Sequence, residues 1–184
     1  MAKVVVRSKR ARNTSGTIDD GAASVPPPPT TASQFWLLKS EPDTFSIAQL
    51  ESKQRSSWDG VRNYGARNHM KQMHLGDLCL FYHSNSRPSG VVGIARVVKL
   101  AYPDHTAMDE VSPYFDRKAF SSKNNPWEMV DVEFVERFPK VLSLDDMRSQ
   151  SALSGMVLFK QSRLSVQPVS AKEYDCIVQL ARKK

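Results

Sequence analysis

The stretch Trp58-Asp59-Gly60-Val61-Arg62-Asn63-Tyr64, with Ala66-Arg67-Asn68 close behind, sets two aromatic rings, two guanidinium groups and two side-chain amides around one glycine. No helical or strand period separates its apolar residues from its polar ones. Rings beside planar hydrogen-bonding groups suit a flat polar ligand such as a nucleobase: the rings stack, and the amides and guanidiniums meet base edges or phosphate oxygens. Asn63 is the first choice for the base edge, because its amide offers both donors and an acceptor. Its competing reading is a turn residue that bonds its own backbone. Tyr64 is assigned to stacking or a hydroxyl contact, and Arg62 and Arg67 to phosphates. Two readings stand for Trp58, a plain core tryptophan and a stacking wall.

The other polar candidates lie at strand ends. Lys39-Ser40-Glu41-Pro42 closes a first strand, because proline cannot continue one. Lys39 and Glu41 share a strand face, and pairing between them would raise the lysine pKa. Ser40 offers its hydroxyl or backbone to a base. Phe81-Tyr82-His83-Ser84 closes another strand, with Phe81 and His83 on one face and Tyr82 on the other. Arg163, Ser165 and Gln167 fall on one face of a third; Ser165 and Gln167 read as pocket wall or rim, and Arg163 as solvent-exposed.

The elements that must position these groups follow from caps and periodicity. Phe35–Leu38 reads as a short apolar strand. Ser46 with Gln49 makes a capping box for a helix over Ser46–Ser52. Ala66–Met73 reads as a helix ending near Gly76, Leu78–His83 as a strand, Arg87–Gly90 as a turn and Val91–Tyr102 as a long β run. Glu128–Arg137 alternates in part. Ser143 with Asp146 caps a short helix, Val157–Phe159 and Arg163–Gln167 read as strands, and Ser170 with Glu173 caps a helix running to about Ala181. The order β, α, α, β, β, β, α, β, β, α places several strands in succession, which argues against a doubly wound parallel sheet and for a small, mostly antiparallel barrel with short helices around it.

The 184 residues are 40% hydrophobic, enough for one domain with a core. A net charge of +7 favours polyanionic partners through counterion release but carries no sequence preference. Cys79 and Cys176 stand far apart, so neither a disulfide framework nor a zinc knuckle is expected, and a reducing compartment is the default. No apolar run approaches the roughly 20 residues of a membrane span, and no membrane partner is expected. Val4-Val5-Val6 is too short for a signal-peptide core. Residues 1–34 differ in composition: a basic cluster containing Arg7, Lys9, Arg10 and Arg12, then a Ser/Thr/Gly/Asp stretch, then Pro26–Pro29. Such a segment reads as a disordered tail. Its basic cluster reads as a nuclear-localisation signal or a phosphate-binding arm, and residues 35–184 as the folded domain.

Taken together, Trp36–Pro42, Trp58–Asn68, Phe81–Ser84, Tyr102-Pro103-Asp104, Met129–Val132 and Arg163–Pro168 resemble, in that order, the EVE domain, a member of the PUA-like superfamily. The connection from Pro42 to Phe45 is shorter here than in the family. The resemblance implies an α+β fold, a mostly antiparallel PUA-like pseudobarrel surrounded by short helices with one pocket. It further implies a monomeric nuclear reader of a modified base, above all 5-hydroxymethylcytosine or another modified cytosine in DNA, with the base turned out of the duplex. The YTH branch of the superfamily, which holds N6-methyladenosine in an aromatic cage, supports the alternative of a modified-RNA reader. The ASCH-type branch supports a third, an amidohydrolase using a lysine and a glutamate on an acylated cytidine. Against catalysis, His69, His74, His83 and His105 lack metal-ligand spacing, and the chain has neither a Gly-rich phosphate loop nor a G-x-S-x-G elbow. No cofactor or metal is expected.

Overall fold

A computed structural model describes residues 34–183. The candidate targeting residues Arg7, Lys9, Arg10 and Arg12 lie outside the described residues. Six strands, β1 (Phe35–Ser40), β2 (Arg55–Trp58), β3 (Leu78–His83), β4 (Gly90–Pro103), β5 (Glu128–Ser143) and β6 (Val166–Val169), form one sheet in the order β2-β5-β4-β3-β1-β6. Only β1 and β3 pair in parallel; the other pairings are antiparallel. The sheet does not close, and β2 and β6 are its edges. The helices are α1 (Ile47–Lys53), α2 (Tyr64–Met70), α3 (Arg117–Ser122), α4 (Leu144–Arg148), α5 (Val157–Lys160) and α6 (Ala171–Arg182).

Both faces of the central strands are buried, which is why β1 and β3 read as continuous apolar runs rather than alternating ones. Trp36, Leu38, Cys79 and Phe81 point into one core with Ile47 and Leu50 of α1 and Ala66 and Met70 of α2. Leu37, Leu80 and Tyr82 point into a second core with Met147 of α4, Leu158 of α5 and Tyr174, Ile177, Val178 and Ala181 of α6. The last four recur at helical spacing and give α6 a single apolar stripe. Capping boxes at Ser46/Gln49, Ser143/Asp146 and Ser170/Glu173 start α1, α4 and α6, each satisfying helix N–H groups that have no partner within the helix.

Several expected elements differ. Val157–Phe159 is not a strand but the one-turn helix α5, closed by Gln161 N–H donating to the Val157 carbonyl (2.8 Å). Three apolar residues are too few for periodicity to separate strand from helix. The strand expected from Arg163 begins only at Val166, because Leu164 N–H turns back to the Gln161 carbonyl (3.1 Å). The second helix runs over Tyr64–Met70 rather than Ala66–Met73. Polar β2 and short α3 carried no periodic signal and were not expected.

A buried carboxylate and a half-buried imidazole tie the layers together. Asp77 accepts from Trp36 Nε1 (2.9 Å), Gln34 N (3.0 Å) and His74 N (2.9 Å), joining the start of β1 to the turn before β3. His83 Nε2, at the end of β3, accepts from the Ile47 backbone N–H (3.2 Å) at the start of α1. Burial, with a smaller contribution from Arg137, holds the His83 pKa below its ordinary 6.5. The neutral ring is the form that accepts this bond.

Removing the Asp77 carboxylate leaves three donors without their acceptor. Asp77→Ala is therefore expected to lower unfolding free energy by about 3 kcal/mol in denaturant titration, against a change within about 0.5 kcal/mol for exposed Asp43→Ala. For His83 the folded pKa lies below the unfolded one. Its stabilisation is complete above pH 6.5 and is lost as pH falls through the lowered folded value. Denaturant titrations across that window are expected to show wild type losing more stability than His83→Gln.

Candidate functional site

The Trp58–Asn68 stretch runs from the core into the start of α2 and contributes no residue to the lining of the cleft described below. Trp58 is only 6% exposed and packs edge-on against Phe81 (centroids 5.2 Å apart, planes at 86°). Of its two readings, the core tryptophan is the one observed. Gly60 follows with φ of +74°, and a Cβ there would lie 2.8 Å from carbons of the Tyr114 ring, so only glycine seats that ring. Gly60 N–H and Arg62 Nη1 both donate to Asp104 Oδ2, at 2.9 and 2.7 Å. Arg62 also donates from Nη2 to Thr106 Oγ1 (2.9 Å) and from Nε to the Tyr114 carbonyl (2.8 Å). Asp104 is fully buried. Burial alone would raise its pKa, but the hydrogen bonds from Arg62, Thr106 and Gly60 outweigh it and hold the carboxyl below its ordinary 3.8. The Arg62 guanidinium, assigned above to a phosphate, directs these hydrogen bonds to groups of the protein itself.

The next residues form the start of α2. Asn63 is its N-cap, with Oδ1 accepting from Ala66 N–H (3.0 Å), so the acceptor half of its amide is committed to the helix. Tyr64, 57% exposed, stacks on Trp127 (4.7 Å, 28°). The Arg67 guanidinium lies 4.8 Å from the Tyr64 ring and donates to the Pro126 carbonyl (2.9 Å). These residues make a surface stack and do not line the pocket described next.

A polar cleft of about 480 Å³ opens where β1 and β3 end and β6 is about to begin. Because β1 and β3 are parallel, their C-terminal ends emerge side by side, with Ser40 opposite His83. Ser84 N–H donates to the Ser40 carbonyl and Lys39 N–H to the Ser165 carbonyl, both at 2.9 Å. Lys39, Ser40, Glu41 and Thr44 line one side of the cleft, Ser84 and Asn85 another, Ser162, Arg163 and Ser165 a third, and Tyr114 supplies its aromatic ring. Burial, then the Asp59 and Glu41 carboxylates, raise the Tyr114 pKa, so its hydroxyl stays a donor. The Ser84 and Ser165 hydroxyls have no hydrogen-bond partner among the described residues.

Lys39 differs from expectation. It makes no ion pair with Glu41, which accepts from Asn85 Nδ2 (3.3 Å). Lys39 Nζ donates to the Ser162 carbonyl, and burial lowers its pKa rather than a carboxylate raising it.

Four expected site residues thus converge on the cleft: Lys39, Ser40, Ser84 and Ser165. Tyr82 instead faces the second core, because the strand alternates between two buried faces. His83 is taken up by α1. Gln167 is 1% exposed, with Nε2 donating to the Gln161 and Leu164 carbonyls (3.0 and 2.7 Å), so it braces the turn before β6 instead of lining a pocket. Tyr114 was missed, since nothing local marks it. Thr44 and Asn85 were within reach as small polar residues just past strand ends. Among the described residues no group of His, Cys, Asp and Glu side chains is arranged to hold a metal ion.

Comparison with known proteins identifies the fold and the family. The EVE domain family model matches residues 34–180. Human thymocyte nuclear protein 1 is 40% identical over 172 residues, covering 83% of this chain and 76% of that protein. A hypothetical protein from Leishmania major has a solved structure with a TM-score of 0.79 and 55% identity, over 82% of this chain and 95% of that one. The human THYN1 protein, crystallised in complex with 5-methylcytosine-containing DNA, has a TM-score of 0.78 and 39% identity, over 83% of this chain and 99% of that one. On the family match and these likenesses, the open mixed sheet with its short helices is an EVE, PUA-like fold, and the chain belongs to the EVE domain family.

Proposed function

We propose that this protein binds DNA carrying a modified cytosine, and that the modified base, turned out of the duplex, enters the polar cleft beside Tyr114. The observation that carries the reading is the convergence of unpartnered hydroxyls, a cation and one aromatic ring in a single concave site. Binding of 5-methylcytosine-containing DNA by the related human protein supports the same reading. The Tyr114 ring offers a stacking surface, and exposed Arg163 at the rim suits a phosphate. The lining is rich in hydroxyls: Ser40, Thr44, Ser84 and Ser165. A hydroxymethyl substituent can exchange hydrogen bonds with such a lining and a methyl group cannot, so we assign 5-hydroxymethylcytosine as the preferred ligand. The basic cluster of Arg7, Lys9, Arg10 and Arg12 is assigned to nuclear targeting.

One observation favours a second reading. The desolvated amine of Lys39 beside Glu41 in the same cleft suits hydrolysis of an acylated cytidine. Product formation from an acylated cytidine that disappears in Lys39→Ala would replace the binding reading with this one.

Titration of DNA and RNA duplexes carrying one modified cytosine, at fixed salt, tests the proposal. Ser165→Ala is expected to weaken hydroxymethylcytosine binding by about 1 kcal/mol and leave methylcytosine binding unchanged. Arg163→Ala is expected to weaken all DNA ligands about equally and reduce the salt slope by about one. Equal loss from both variants, without a change in preference, would remove the cleft as the reading site. In cells, a fluorescent fusion with Arg7, Lys9, Arg10 and Arg12 changed to alanine is expected to lose nuclear enrichment.

A further inference from the structure

Base binding as described gives no task to the Lys39 amine. Its Nζ donates to the Ser162 carbonyl and lies 5.6 Å from the centre of the Tyr82 ring. No carboxylate pairs with it among the described residues. Neither a carbonyl dipole nor a ring carries a full negative charge to offset the hydration lost on burial, and half-burial lowers the Lys39 pKa from its ordinary 10.5. A larger fraction of the amine is therefore neutral and nucleophilic near neutral pH than on an exposed lysine. Among the described residues the Ser84 and Ser165 hydroxyls of the same cleft are hydrogen-bonded to no base that would activate them, so the amine is the strongest nucleophile of the lining. Lys39 lines the cleft and its amine bonds Ser162, another residue of the lining; such an amine can condense with an aldehyde without any further reagent.

Resting on the base-binding reading above, we infer that Lys39 captures a cytosine bearing a formyl group at C5 as a reversible imine. The Nζ lone pair attacks the formyl carbon and a C–N bond forms, while the C=O electron pair moves onto oxygen. Both amine hydrogens are transferred through solvent to that oxygen, which leaves as water as the C=N bond forms. No net oxidation or reduction occurs, and re-entry of water into the open cleft reverses the capture. Methyl and hydroxymethyl groups offer no carbonyl carbon and bind without a covalent bond.

The test uses the full chain and duplexes with one 5-formylcytosine, one 5-methylcytosine or no modification, with and without sodium cyanoborohydride. Native gels report binding; denaturing gels and peptide mass mapping report the adduct. The expected adduct appears only with formyl DNA and cyanoborohydride. Its mass is that of the two partners less one water plus two hydrogens, and it maps to Lys39. In Lys39→Arg the adduct, normalised to the bound fraction, falls about ten-fold or more. If wild type binds none of the modified duplexes, the base-binding reading itself fails and this inference with it. If formyl DNA binds but no adduct forms, or the adduct maps to exposed lysines such as Lys53, the imine alone is overturned.

Discussion

The site depends on a buried carboxylate. Asp104 has no solvent exposure, and a charge so placed is tolerated only where fixed donors replace the water it lost. Those donors are the Gly60 backbone N–H, Arg62 and Thr106. The same guanidinium also donates to the Tyr114 carbonyl, so the carboxylate draws an otherwise irregular segment down onto the loop that follows β2. Apolar contact would bring these segments together, but only directed hydrogen bonds set their rotation. Tyr114 stands at the cleft because Arg62 holds its backbone and Gly60 leaves room for its ring.

The cleft owes its polarity to the way the sheet ends. Strands β1 and β3 run between two cores, so every side chain along them is apolar or tightly accommodated. Where the two parallel strands emerge together, the chain leaves both cores at once and polar residues follow: Ser40 ending one strand with Glu41 after it, Ser84 and Asn85 after the other. Lys39 sits at the transition. It is far enough inside to lose hydration yet still lines the cleft, and its amine is set by burial instead of by a counter-ion.

Elements that announce themselves locally were legible in the sequence. The capping boxes at Ser46, Ser143 and Ser170 started helices as expected, and Leu78–His83 formed the strand expected of it. The six ordered words that resemble the EVE domain led to the correct fold. Arg55–Trp58 and Val157–Lys160 were not legible as strand and helix. The first is a polar edge strand with no alternation, and the second is too short to have a period.

Local chemistry identified which residues are unusual, and tertiary packing decided what they do. The sequence alone determined that Trp58–Tyr64 mixes rings and hydrogen-bonding groups without a period, that Lys39, Ser40, Ser84 and Ser165 lie at strand ends, and which family the chain resembles. All of these rest on residue type and near-neighbour spacing. Only the folded chain decided that Arg62 is internal, that Asn63 caps α2, that Tyr82 and Gln167 are buried, and that Tyr114 forms the aromatic wall. Each of those outcomes depends on a partner far along the chain: a carboxylate at Asp104, a second core beneath β3, or an arginine more than fifty residues before the tyrosine it holds. A side chain's donors and acceptors can be read from its type, but which of them remain unspent is settled only when distant segments are packed against it.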